Sequence, residues 1–184
     1  MVTMPVWYAL RTFYAQEKRV GDYLSDHEVE YFIPMLYKIG LDVDGKPVRR
    51  YYPAIHNLLF ICQNQQPKVL KGVIDGCPLP IKVYTQTAYT REWYAISDAE
   101  ILELRMICDR NFSEPPLITL HEGDIEVGRM VKVVHGPMKG IKGVLVRKNK
   151  KYYLLKTVAN LDVRIAVSRW CCELDPTNQT KEII

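Results

Sequence analysis

Hydrophobic and polar positions alternate with two different periods along this chain, and the changes of period mark its elements. Val6 to Thr12 (VWYALRT) is rich in β-formers and predicts a strand. From Gln16 to His27 the period becomes helical: Val20, Tyr23, Leu24 and His27 share one face, while Glu17, Lys18, Arg19, Asp22 and Asp26 lie largely off it. Gly21 weakens this helix by about 1 kcal/mol against alanine, so packing must hold it. Tyr31 to Tyr37 is apolar and aromatic, but Pro34 restricts it to an edge or a bulge. Lys38 to Tyr52 is a polar excursion turning at Asp44-Gly45, with Arg49-Arg50 on its return arm. Asn57 to Gln63 predicts a strand. Pro67 to Gly76 predicts a short helix with the face Val69, Leu70, Val73 and Ile74. Ile81 to Gln86 and Trp93 to Ile96 read as strands. Ser97 to Arg110 is a helix opened by a capping box, Ser97 with Glu100, and striped by Ile101, Leu104, Ile107 and Cys108.

The first part thus runs β-α-β-β-α-β with an inserted polar hairpin and an appended helix, a ferredoxin-like split βαβ pattern. Asn111 to Glu122 contains Pro115-Pro116 and reads as a stiff linker. Only strand signals follow, near Met130 to Val134, Gly143 to Arg147, Tyr152 to Val158 and Val163 to Val167. Arg147 to Lys151 is expected to form a basic hairpin tip, and Asp175 to Ile184 a frayed tail. The expected class is α+β: a ferredoxin-like domain and a small SH3-like β-barrel.

Composition narrows this picture. The chain has 184 residues, 48% hydrophobic and 25% charged, enough for ordinary cores and against disorder. The formal net charge is +4. Residues 1–110 carry 13 Lys+Arg and 13 Asp+Glu, so the whole excess lies beyond them, which is too mild for a DNA-coating protein. The five cysteines, Cys62, Cys77, Cys108, Cys171 and Cys172, form no CxxC pair, and no zinc spacing joins them to the histidines. The start lacks a signal-peptide pattern and no apolar run reaches about 20 residues, so a cytoplasmic location without membrane contact is expected. No phosphate loop or dinucleotide fingerprint is present, and nothing places a histidine and a carboxylate beside a cysteine. The reading is a non-enzyme with no cofactor and no metal.

Gly128 to Val146, GRMVKVVHGPMKGIKGVLV, resembles the KOW motif through Gly136, Pro137, Gly140 and Gly143 between two strands, with Met138 where an aromatic is more usual. Trp7-Tyr8 resembles the opening W-Y of the NusG family, and Ile96-Ser97-Asp98-Ala99-Glu100 resembles the family's I-S-D-x-E. Tyr52 to Ile61 is similar to the P-x-x-x-N-Y-x-F-V strand of RfaH/UpxY-like paralogues, with Leu58 for the usual tyrosine and His56 for a usual proline. Together these resemble a NusG-type protein over nearly the whole chain: an NGN domain at 1–111, a linker at 112–122, a KOW barrel at 123–176 and a tail at 177–184.

The resemblance implies a monomeric transcription elongation factor that binds the clamp helices of RNA polymerase. It implies antitermination of specific operons, such as those for surface polysaccharide. The barrel would recruit ribosomal protein NusE or the termination factor Rho. The polymerase-facing set carried over is Arg11, Ile55, His56, Leu58 and Phe60; Arg11 departs from the usual aromatic or aliphatic residue. Leu58 and Phe60 share strand parity, and alternation leaves Leu59 and Ile61 as the competing inward pair. The non-template DNA strand would meet Lys18, Arg19 and Tyr23, with Tyr14 as a further stacking ring, although Lys18 and Arg19 also suit a solvated helix face and Tyr23 suits core packing. A permanent barrel, not a helical hairpin, is expected from Tyr152, Tyr153, Thr157, Val158, Val163, Ile165 and Val167. The alternative is a KOW protein that binds RNA or the ribosome in translation.

Overall fold

The computed structural model describes residues 5–86, 89–108, 117–120, 128–136, 138–168 and 171–175. Cα packing divides the chain into two units, Met1–Met35 with Tyr52–Leu102, and Leu36–Tyr51 with Glu103–Ile184.

In the first unit the strands are β1 (Val6–Arg11), β2 (Tyr31–Phe32), β5 (Leu58–Cys62), β6 (Lys82–Val83) and β7 (Ala95–Ser97). They pair antiparallel in the order β2-β5-β1-β6, with β7 also on β1. This is the ferredoxin-like order expected from the β-α-β-β-α-β pattern. The helices α1 (Glu17–Asp26) and α2 (Pro67–Asp75) supply Val20, Leu24, Leu70 and Ile74 to a core with Leu10, Leu59, Ile61 and Val83. Each such side chain contributes about 1.5–3 kcal/mol through burial. Gly21 is required inside α1 because a Cβ there would lie 2.6 Å from the Tyr31 ring. Its low helix propensity is offset by that close approach. Gly76 closes α2 at φ −84°, not in the left-handed region.

β5 is buried at every position. In register, Leu10 faces Leu59 and Arg11 faces Leu58, so Leu59 and Ile61 point to the helices while Leu58 and Phe60 take the other face. The helix α3 (Asp98–Ile107) begins at the expected capping box. The Ser97 hydroxyl accepts the Glu100 N–H at 3.3 Å, and the Glu100 carboxylate accepts the Ser97 N–H at 3.1 Å. Trp7 Nε1–H donates to Asp98 Oδ1 at 2.8 Å and ties β1 to this helix start. Ser97→Ala is expected to cost about 1 kcal/mol, read as a shift in the urea midpoint.

In the second unit β3 (Met35–Leu41) and β4 (Pro47–Pro53) form the predicted hairpin. Asp42 Oδ1 accepts the N–H groups of Asp44 at 2.9 Å and Lys46 at 2.8 Å, and Gly45 takes φ +76°. Arg49 lies over the Tyr37 ring at 4.7 Å. The sequence reading puts this hairpin in the N-terminal domain, whereas its Cα packing groups it with the second unit.

The remaining strands are β8 (Leu117–Leu120), β9 (Arg129–Val133), β10 (Lys142–Lys148), β11 (Lys151–Val158), β12 (Leu161–Val167) and β13 (Cys172–Leu174). They form one antiparallel sheet in the order β13-β9-β10-β11-β12-β8. Val131, Val133, Ile141, Leu154, Val158, Leu161, Val163 and Ile165 are buried in it. This β-rich part agrees with the small barrel expected there, formed of strands rather than a helical hairpin. Gly143 sits where a Cβ would meet the Leu155 carbonyl oxygen at 2.6 Å, so strands β10 and β11 tolerate no side chain at that point. Two expectations are corrected. Residues 117–120, read as linker, form β8 and pair with β12; the rest of the linker lies outside the described residues. Asp175, read as frayed, is buried, with Lys142 Nζ at 2.9 Å and its own N–H on the Met130 carbonyl. Residues 177–184 lie outside the described residues. No described helix is long and apolar enough to cross a membrane.

Candidate functional site

One asparagine organises the end of the first sheet that carries Arg11. Asn57 holds φ +61°, a conformation asparagine tolerates because its short amide bonds locally. Its carbonyl accepts the Thr12 N–H at 2.9 Å, and its Oδ1 accepts the Ala15 N–H at 2.9 Å. Its own N–H donates to Glu17 Oε1 at 2.5 Å. Glu17 is buried, although its place in the helical pattern suggests a polar face. The loop before β5 is thereby fastened to the loop after β1, where Tyr14 and Ala15 also hold positive φ.

That clamp gathers Arg11, Tyr14, Ile55 and His56. Arg11, Tyr14 and His56 are exposed and Ile55 is half-buried. Arg11 spans the Phe13 ring at 5.1 Å and stands between Leu58 and Lys82 on the neighbouring strands. Leu58 and Phe60 belong to the same sheet face as Arg11 but form no exposed patch. Leu58 is 3% and Phe60 0% exposed, and the Phe60 ring stacks on Phe32 at 6.2 Å. The run LLFIC has apolar residues on both parities, so both of its faces are covered.

Lys18 and Arg19 are exposed in the first turn of α1. Tyr23, expected beside them as a stacking ring, is committed to packing. Its hydroxyl donates to the Val73 carbonyl at 2.9 Å, and its ring lies 4.2 Å from His27. Burial pushes its phenol up, and Cys77 adds to the shift. Tyr14, 83% exposed, is the ring left open to solvent near Lys18 in sequence.

In the second unit Gly136 and Gly140 hold φ +86° and +102°, which only glycine adopts freely, and Met138 is buried. Pro137 lies outside the described residues. The basic turn between β10 and β11 puts Asn149 and Lys150 at φ +50° and +64°, and Arg147 lies 5.6 Å from the Tyr152 ring. The five cysteines are free thiols, and burial pushes Cys108 up to about 12. Among the described residues no group of three or more His, Cys, Asp or Glu side chains is placed to hold a metal ion. Exposed cations, an imidazole and a tyrosine thus stand around a fixed loop.

The family whose description is "NusG: Transcription termination factor nusG" matches residues 5–105. A structure described as "Domain interaction in Thermotoga maritima NusG" is similar at 15% identity and a TM-score of 0.52, over 92% of this chain and 97% of that one. That likeness shows the fold. A chain of the MjSpt4:Spt5 complex in conformation B aligns at 16% identity and a TM-score of 0.32, over 91% of this chain and 95% of that one. No curated protein matches the chain.

Proposed function

This chain belongs to the NusG family of transcription factors, and from that premise we propose that it is an elongation factor that docks on the clamp helices of RNA polymerase and promotes processive transcription of specific operons. The observation that carries this reading is the family match over residues 5–105, the span that contains the whole Asn57-clamped surface. Residues 1–111 form the polymerase-binding part. Arg11, Ile55 and His56 make the contact, and Leu58 and Phe60 support it as buried residues of the strand beside Arg11. Lys18 and Arg19, with Tyr14, face the non-template DNA strand. The C-terminal β-rich part, whose KOW-like run carries Gly136, Pro137, Gly140 and Gly143, recruits ribosomal protein NusE or Rho. The text from Tyr52 to Ile61 favours a specialised RfaH/UpxY-like paralogue that antiterminates its operons over a general factor. The protein acts in the cytoplasm as a monomer without cofactor or metal.

The test is retention of RNA polymerase by the wild-type chain and by an Arg11→Glu, His56→Glu variant. Both positions are exposed, so the variant should keep the wild-type circular dichroism and melting temperature. Polymerase retention is expected to fall by about tenfold or more, as for the loss of a central charged contact. Equal retention by the folded variant would move the docking surface elsewhere. A wild-type chain held by ribosomes and not by polymerase would establish the translational role instead.

A further inference from the structure

A cavity of about 310 Å³ opens on the helix side of the first sheet, at the end opposite Arg11 and His56. Tyr8 and Trp93 meet edge to face at 5.1 Å and 75° in its wall. The Tyr8 hydroxyl donates to Gln63 Oε1 at 2.5 Å, which fixes that ring. Trp93 is positioned by its bridge to Thr85 and by the Gln86 N–H on the Glu92 carbonyl at 3.0 Å. Leu70 is a buried part of the lining. Lys71 and Arg91 bring positive charge to it, with Glu92 as the one carboxylate. Among the described residues no ion pair occupies Lys71 or Arg91.

We propose that this cavity binds one unpaired nucleotide of a single-stranded nucleic acid, its base against Trp93 and Tyr8 and its phosphates against Lys71 and Arg91. Two rings fixed by their neighbours offer a π-face at little entropic cost, and every base can stack on such a face. Two cations against one carboxylate leave the rim net positive, as a phosphodiester requires. An acidic peptide would use those charges and leave the aromatic wall without a partner. The cavity is built from different residues than Lys18 and Arg19. The proposal deepens the reading above, since transcription supplies unpaired strands as displaced DNA and nascent RNA.

The test uses the full chain without polymerase and follows the fluorescence anisotropy of labelled oligothymidylate and oligouridylate of about 12 nucleotides. Lys71→Glu with Arg91→Glu, and separately Trp93→Leu, are each expected to weaken binding about tenfold. Lys150→Glu with Lys151→Glu, at the β10–β11 turn, is expected to stay within about twofold of wild type, because neither residue lines the cavity. The stronger of the two oligomers identifies which strand the site takes. Lys71 and Arg91 are exposed, so their variant folds even where Trp93→Leu does not. A folded Lys71→Glu, Arg91→Glu chain that binds both oligomers as wild type does overturns the proposal and leaves polymerase retention untouched. Equal losses in the two charge-reversal variants, or displacement of the oligomer by polyglutamate, overturn it as well.

Discussion

Phe60→Ala is expected to destabilise the first unit by about 3–5 kcal/mol. The ring is fully buried, stacked on Phe32, and set in the middle of β5 between β1 and β2. Alanine would remove most of that apolar area and leave a cavity that two flanking strands cannot close. A small domain has only about 5–15 kcal/mol of stability, so a large share would go. A urea titration followed by tryptophan fluorescence measures it, with Trp7, paired to Cys62 at the end of the same strand, as the reporter. A loss under about 1 kcal/mol would instead describe a ring at a surface that a partner covers. Acidic substitutions at Leu58 or Phe60 therefore confound docking with folding, and Arg11 and His56 are the positions to change.

Asn57→Ala is expected to cost about 2–3 kcal/mol, while Asn57→Gly should cost only about 1 kcal/mol. Both variants lose the side-chain acceptor for the Ala15 N–H. Only alanine must also carry a Cβ in the left-handed region at φ +61°. The backbone bonds to Thr12 and Glu17 survive in either case. Comparing the two melting curves separates strain from the lost hydrogen bond. Polymerase retention should fall in both, because the loop that carries Ile55 and His56 loses its side-chain bond to the Tyr14 loop. Equal stability of the two variants would remove backbone strain from the account.

The regular elements were legible because they rest on local rules. The buried pairs Val20 and Leu24 of α1 and Leu70 and Ile74 of α2, the Ser97 box, the Asp44-Gly45 turn and the basic turn at Asn149 follow from spacing and from residues that tolerate their dihedrals, although Val69 and His27, on the same expected faces, are exposed. β8 was not legible. Next to Pro115-Pro116 its four residues resemble an extended linker, and the partner that makes them a strand begins about 40 residues later. Asp175 looked like tail for the same reason: its partner is Lys142. Within the site, Arg11, His56, Lys18 and Arg19 lie exposed, as polar residues at those positions suggest. The facing of Leu58 and Phe60 could not be read, since a run apolar on both parities carries no alternation. Glu17 was misread because its fixed contact, the Asn57 N–H, comes from a distant segment, whereas Tyr23 packs as its place on the α1 face suggests. The Tyr8–Trp93 cavity draws on three separated stretches, and no spacing announces it.

β1 is the first of the described strands and an inner one of its sheet. During synthesis its first partner, β5, arrives roughly 50 residues later, and β6 and β7 later still. Until then the nascent segment VWYALR offers an apolar strand with two bare edges, the kind of surface that chaperones shield. No local hairpin can protect it, because every pairing of β1 closes a long loop. The order of synthesis and the order of pairing thus run against each other, and the sheet of this unit is complete only once Ser97 has been made.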